Sequence, residues 1–178
     1  YIRLQVNSVD NNDMISQTIV NGDFEANTTL ENGSYNYDIP DGWTSIQTNS
    51  TGIDGVIVTT KGINTYWLGE NNTDNNIMIG FRNGIKLYQE ITGYTGFYTL
   101  TFDLIKRTLY FPNYISNINV LINNEVKLDE QVSNETIEQR TITWFNTEDT
   151  IRIEFANPET DDTSNGAFFI DNVAVSYT

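Results

Sequence analysis

Between Gly96 and Ile105 the chain alternates without a break. Tyr98, Leu100, Phe102 and Leu104 fall on one side, and Thr99, Thr101 and Asp103 on the other. A two-residue period puts successive side chains on opposite faces of a strand, so this segment buries one face. Nowhere does a 3.6-residue apolar period persist, whereas shorter alternating runs recur between polar turns. The chain therefore reads as all-β, an antiparallel two-sheet sandwich.

Further strands are expected at Ile53–Thr60, Ile77–Phe81, Ile85–Ile91, Asn117–Ile122, Val126–Leu128, Ile137–Phe145, Thr150–Phe155 and Ala167–Tyr177. Including the shorter candidate at Thr18–Val20, that makes about nine or ten strands, the content of a jelly roll. Asn83-Gly84 is the strongest short hairpin signal, and Asn123-Asn124-Glu125 is another. Residues 1–17 read as an N-terminal extension or edge strand, and 18–178 as a single sandwich domain. Tyr1 in place of Met leads us to expect a leader or upstream domain.

Composition narrows the chemistry. With 178 residues the chain is long enough to bury roughly 70% of its unfolded surface as one domain. Its 24 acidic and 9 basic residues give a formal net charge of -15, which repels phosphate backbones and anionic lipid. There is no Cys and no His, which removes thiolate nucleophiles and histidine-based triads. Paired carboxylates could still serve a glycosidase, but no phosphate-cradling or dinucleotide fingerprint occurs. A non-catalytic role is expected. No run of about 18 apolar residues is present.

One residue contradicts its surroundings. Asp171 stands inside the most apolar run, Ala167 to Val175, and a buried charge needs a partner or a metal. Asn21-Gly22-Asp23-Phe24-Glu25 offers two further carboxylates, so the first turn and last strand are expected side by side around a cation. Otherwise Asp23 caps its turn and Asp171 accepts hydrogen bonds from neighbouring strands. Phe168-Phe169-Ile170 is apolar on both faces and the inward parity shifts near Asn172, which a β-bulge would explain.

Five stretches in order carry a likeness: Asn21 to Glu25, Asp41-Gly42-Trp43, Ile85 to Gln89, Gly96 to Phe102, and Phe169 to Val173. Together they resemble the galactose-binding-like jelly roll of carbohydrate-binding modules appended to xylanases, and a related plant cell-wall family. The likeness implies a structural calcium with Glu25 and Asp171 as ligands, Asp23 as a further candidate, and backbone carbonyls completing the shell. It also implies glycan binding and an extracellular or cell-surface setting.

Sugar recognition needs flat aromatic faces and planar hydrogen-bonding groups. Candidates are Tyr66 and Trp67 in one loop, and Arg107, Tyr110 and Tyr114 in another, with Tyr88 and Asp103 on outward strand faces. Trp67 reads equally as a lid over a core edge. Trp43 and Trp144 read as core. Gln89, on an apolar face, is either a satisfied buried amide or a hydroxyl-reading group. Sequons occur at Asn27, Asn32, Asn49, Asn71 and Asn134. A competing reading is a structural or adhesive subunit that self-associates by adding residues 1–17 as a strand to a neighbour's sheet.

Overall fold

The computed structural model describes residues 19–26, 29–47, 57–109, 113, 116–158 and 166–177. Eleven strands form among them: β1 (Tyr35–Asn36), β2 (Thr44–Gln47), β3 (Ile57–Lys61), β4 (Ile77–Phe81), β5 (Ile85–Thr92), β6 (Gly96–Lys106), β7 (Ser116–Ile122), β8 (Glu125–Val132), β9 (Glu138–Asn146), β10 (Thr150–Ala156) and β11 (Phe168–Tyr177). A six-stranded sheet runs β1-β3-β4-β11-β6-β9, and a five-stranded sheet runs β2-β5-β10-β7-β8. All named pairings are antiparallel. This is the expected jelly-roll sandwich.

Alternation dictates the core. Tyr98, Leu100, Phe102 and Leu104 of β6 point inward and meet Leu87 of β5 and Ile153 and Phe155 of β10 in one cluster. Phe102 meets Phe155 edge-on at 5.0 Å. A smaller cluster lies on the outer face of the six-stranded sheet. There Trp67 and Leu68 cover Val58, Met78, Ile105 and Phe169. This cover explains why β11 is apolar on both faces: Phe168 enters the sandwich core while Phe169 packs under the loop.

The Asn83-Gly84 expectation needs correction. β4 and β5 lie in different sheets, so this turn carries the chain across the sandwich instead of closing a hairpin. Asn157 holds the corner: its N–H donates to Ile85 O at 2.9 Å, and its carbonyl accepts from Gly84 N at 3.1 Å. Asn123-Asn124 is a true hairpin turn. Both residues have positive φ, 49° and 68°, as a two-residue turn matched to strand twist requires. Strands β1 and β2 are not among the expected strands.

The first turn does lie against the last strand. Val173 N donates to Gly22 O at 2.8 Å, and a Cβ on Gly22 would stand 2.0 Å from Val173 O. The expected bulge is present: the β11–β6 register shifts between Asp171 and Ala174, with Asn172 at φ 50°. Trp43 and Trp144 are core, as expected. Gln89 is the satisfied amide: its Oε1 accepts from Val20 N at 2.7 Å, and its Nε2 donates to Val20 O and Gly42 O at 3.0 and 2.9 Å.

Candidate functional site

Three constellations carry chemistry. The first is aromatic and lies at the β1 edge. Tyr35 sits at its centre, with Tyr37 edge-on at 5.9 Å, Tyr66 at 5.8 Å and Trp67 at 5.8 Å. Tyr37 and Tyr66 are 46% and 47% exposed. Asn64 positions Tyr66: its Oδ1 accepts from Tyr66 N at 2.8 Å while its Nδ2 donates to Gly33 O at 2.8 Å. Burial, followed by the neighbouring Tyr37, pushes the Tyr35 phenol up.

Trp67 takes its other reading, a lid over a core edge, and Arg107, offered as a ligand group, is buried with it. They are 4% and 6% exposed. The Arg107 guanidinium covers the Trp67 ring at 4.0 Å, and Phe169 meets the same ring edge-on at 5.8 Å. Arg107 also donates from Nε to Leu109 O at 3.0 Å and from Nη2 to Tyr66 O at 3.1 Å. Burial first, then Arg82, pushes its pKa down to about 10, so it stays charged at neutral pH. The pair supports the tyrosines from beneath, because a cation over an indole is a favourable desolvated contact.

The second constellation is on the outer face of the five-stranded sheet. Arg152 lies over the Tyr88 ring at 3.5 Å and donates from Nη2 to Glu154 Oε2 at 2.6 Å. Lys86 Nζ reaches Glu154 Oε1 at 2.7 Å. Burial pushes the Glu154 carboxyl up, but Lys86 and Arg152 outweigh it and hold the group below its ordinary range. Tyr88 therefore has one ring face occupied by Arg152.

The third is acidic. Asp171 is 2% exposed and lies directly opposite Asp103 across the β11–β6 ladder. Like charges so placed destabilise a sheet. Burial pushes the Asp171 carboxyl up to about 7; Asn76 and the Asn172 N–H oppose this, while Asp103 and Glu25 add to it. Asn76 Nδ2 donates to Asp171 Oδ2 at 3.0 Å, and Asn172 N to Oδ1 at 2.7 Å. Glu25 Oε1 accepts from Ile77 N at 2.8 Å. Asp23 is exposed, and its Oδ1 accepts from Glu25 N at 3.4 Å, so it caps its turn. Among the described residues no group of three or more ligating side chains converges. Both Asp171 oxygens thus accept hydrogen bonds, as the alternative to the cation reading expects.

Tyr110, Tyr114, Asn27, Asn49 and residues 1–17 lie outside the described residues. Of the remaining sequons, Asn134 Nδ2 donates to Leu104 O at 2.6 Å and Thr136 O at 2.9 Å, and Asn71 Nδ2 to Leu68 O at 3.2 Å. Asn32 Nδ2 donates to Asp74 Oδ1 at 3.4 Å. A glycan on Asn71 or Asn134 would have to displace these bonds. Sequence reasoning missed Tyr35 and Tyr37, although their i, i+2 spacing is itself a same-face signal.

No family model matches the chain, and no curated protein matches it by sequence. Solved structures do. A Stig cyclase, Fisc, from Fischerella sp. TAU superposes with a TM-score of 0.68 at 18% identity, over 92% of this chain and 98% of that one. TmCBM61, in complex with β-1,4-galactotriose, gives 0.56 at 12%, over 92% and 99%. A cleaved adhesin domain of Lys-gingipain from Porphyromonas gingivalis gives 0.56 at 15%, over 79% and 93%. At these identities the likeness speaks for the fold: a jelly roll shared by an enzyme, a carbohydrate-binding module and an adhesin domain.

Proposed function

We propose that this chain is a non-catalytic glycan-binding module of an extracellular or cell-surface protein. One observation carries the reading: Tyr37 and Tyr66 are half-exposed rings fixed against Tyr35, which rests on the buried Trp67. Rings held in place lose little conformational entropy when a ligand stacks on them. Their hydroxyls add donors and acceptors beside an apolar face. A net charge of -15 favours neutral polysaccharides or glycoprotein glycans over polyanions. The galactotriose held by TmCBM61 supports a saccharide ligand for this fold. A polysaccharide panel tests the reading: Tyr37→Ala with Tyr66→Ala should abolish retention on the bound polymer while leaving the melting temperature unchanged.

Calcium belongs to the same proposal. Glu25 and Asp171, with backbone carbonyls, would hold the ion where the first turn meets the last strand, and Asp23 is not needed. Calcium bound to the native state alone raises the melting temperature, and chelation reverses that. An identical melting temperature with and without chelator rejects the metal.

A second reading has its own observation. β9, a nine-residue strand, pairs on one side with β6 and forms an edge of its sheet. Such an edge accepts an added strand, and residues 1–17 of a second copy could supply it. Removal of residues 1–17 should then convert a concentration-dependent assembly to monomer on a sizing column. A full-length chain that elutes as monomer at all concentrations excludes this route.

A further inference from the structure

The two sheets have four edge strands, and three of them are poor places for another strand to add. β1 is two residues long and β2 four. β8 is longer but guarded. Glu125, Lys127, Asp129 and Glu130 charge half of its eight residues, and its pairing with β7 slips between Val120 and Leu121. Shortness, charge and irregular pairing are the usual means by which a sheet edge is kept from other chains. β9 lacks all three over most of its length. It runs for nine residues, pairs in unbroken register with β6, and carries no charged residue from Thr141 to Asn146. Among the described residues nothing pairs with its other side.

One charge could guard this edge, and it is engaged elsewhere. Arg140 is half-buried; its Nε donates to Glu130 Oε1 at 2.8 Å and its Nη1 to Glu138 Oε2 at 3.1 Å, which fastens β9 to β8 across the sandwich. The outward face beside the edge is uncharged too. Thr141 and Thr143 lie opposite Thr101 and Thr99 of β6, and Phe145 lies opposite Phe97 with the rings edge-on at 5.0 Å. Phe97 and Phe145 are 61% and 54% exposed.

The order of residues in β9 says what fits the edge. Gln139-Arg140-Thr141-Ile142-Thr143-Trp144-Phe145 is centred on Ile142, with a threonine on either side. Two such strands laid antiparallel about Ile142 put Thr141 of each opposite Thr143 of the other. Arg140 then meets Trp144, Gln139 meets Phe145 and Glu138 meets Asn146, so no like charges face each other. Cross-strand threonine pairs are favourable and opposed like charges are not. A two-fold interface requires this self-complementarity, because the same strand supplies both sides. The charge of the whole chain agrees. A basic partner would be drawn to the carboxylate-bearing faces, whereas a second chain of net charge -15 can come close only where charge is absent.

We propose that β9 is a dimer interface, at which a second copy of this chain adds its own β9 antiparallel and joins the two six-stranded sheets into one. The two-fold axis stands perpendicular to the joined sheet, so both outer faces look the same way. On the glycan reading above, the two tyrosine platforms then face one polymer together, and the second contact becomes intramolecular. The dimer itself does not depend on that reading. One strand edge covers less than the ~800 Å² per partner of a standard interface, so the dissociation constant should be on the order of 100 µM.

Analytical ultracentrifugation of the full chain across concentration tests this. The native chain should pass from monomer to dimer as concentration rises, and do so more readily at high salt, because screening weakens the repulsion between the two copies. Thr141→Lys/Thr143→Lys sets lysine opposite lysine and should stay monomeric, as should Thr141→Glu/Thr143→Glu. Both positions are exposed, so each variant should melt with the native chain. An equimolar mixture of the two variants should dimerise at least about tenfold more tightly than either alone, since every lysine then meets a glutamate. Phe145→Ala should weaken the native dimer several-fold. A native chain that stays monomeric at all concentrations, or a mixture no tighter than its components, overturns the proposal. A glutamate variant that associates by itself also overturns it, and fits instead the addition of residues 1–17, whose Arg3 a carboxylate-lined edge would attract.

Discussion

Two patches lie on the outer face of the same six-stranded sheet, and they are built on opposite principles. Around Trp67 the ring contacts are matched, although its indole N–H has no acceptor among the described residues. Its ring meets Tyr35, Phe169 and the Arg107 guanidinium, whose N–H groups reach backbone carbonyls. Around Asp171 the hydrogen bonds are made but the charges are not matched: a buried carboxyl faces Asp103 across the ladder with Glu25 nearby. The matched patch is a foundation, and the tyrosines above it are free to be rigid and half-exposed. The acidic patch is held by amide donors instead: Asn76 and the Asn172 N–H reach Asp171, and Asn172 Nδ2 reaches Asp103. Buried aromatics thus mark a support for what lies above them, whereas the buried acid marks a group whose charge depends on its surroundings.

The largest expected effect comes from undermining the foundation. Trp67→Ala opens a cavity under Tyr35 and leaves Arg107 buried without its ring, which should cost about 3–5 kcal/mol in chemical denaturation. Loss of glycan retention should accompany it, because Tyr66 loses its support. A variant of near-native stability would show that the patch is not a packed unit.

Next in size is the acidic patch. Folding raises the Asp171 pKa to about 7, so the folded state holds the extra proton. Without calcium, stability is full below a pH of about 4 and falls as pH rises through about 7, by a few kcal/mol. Asp171→Asn should remove that slope. Saturating calcium should flatten it in the native sequence, because the ion keeps Asp171 ionised. Denaturation midpoints across pH with chelator, with calcium and in the variant separate the three cases.

The sheet face gives the smallest effect. Lys86→Met leaves Glu154 with Arg152 at 2.6 Å, so the loss should be below about 1 kcal/mol. A larger loss would mean that Arg152 over Tyr88 depends on Lys86 and that the face is as tightly coupled as the Trp67 patch.

Much of this was readable from sequence because local alternation decides which strand face is buried. The inward row of β6 and the bulge near Asn172 follow from parity alone. Asn83-Gly84 misled because such a pair signals a tight turn without saying which sheet receives the next strand. Arg107 misled for a related reason, and Trp67 was readable either way. Whether a polar loop folds over the outside of a sheet depends on what waits there, and Phe169 was the clue. An apolar residue on the outward parity of β11 required a cover, and the 61–76 loop supplies it. Tyr35 and Tyr37 went unread because β1, Tyr35–Asn36, is only two residues long and their i, i+2 spacing stands alone between polar stretches.

The most direct measurement of the central claim is calorimetric titration of the best polysaccharide from a panel into the native chain and into Tyr37→Ala/Tyr66→Ala, both with calcium. Binding is predicted for the native chain, with affinity at the platform lost in the variant and both proteins melting at the same temperature. A chain that binds no polysaccharide, or a double variant that binds as tightly as the native protein, would contradict the account.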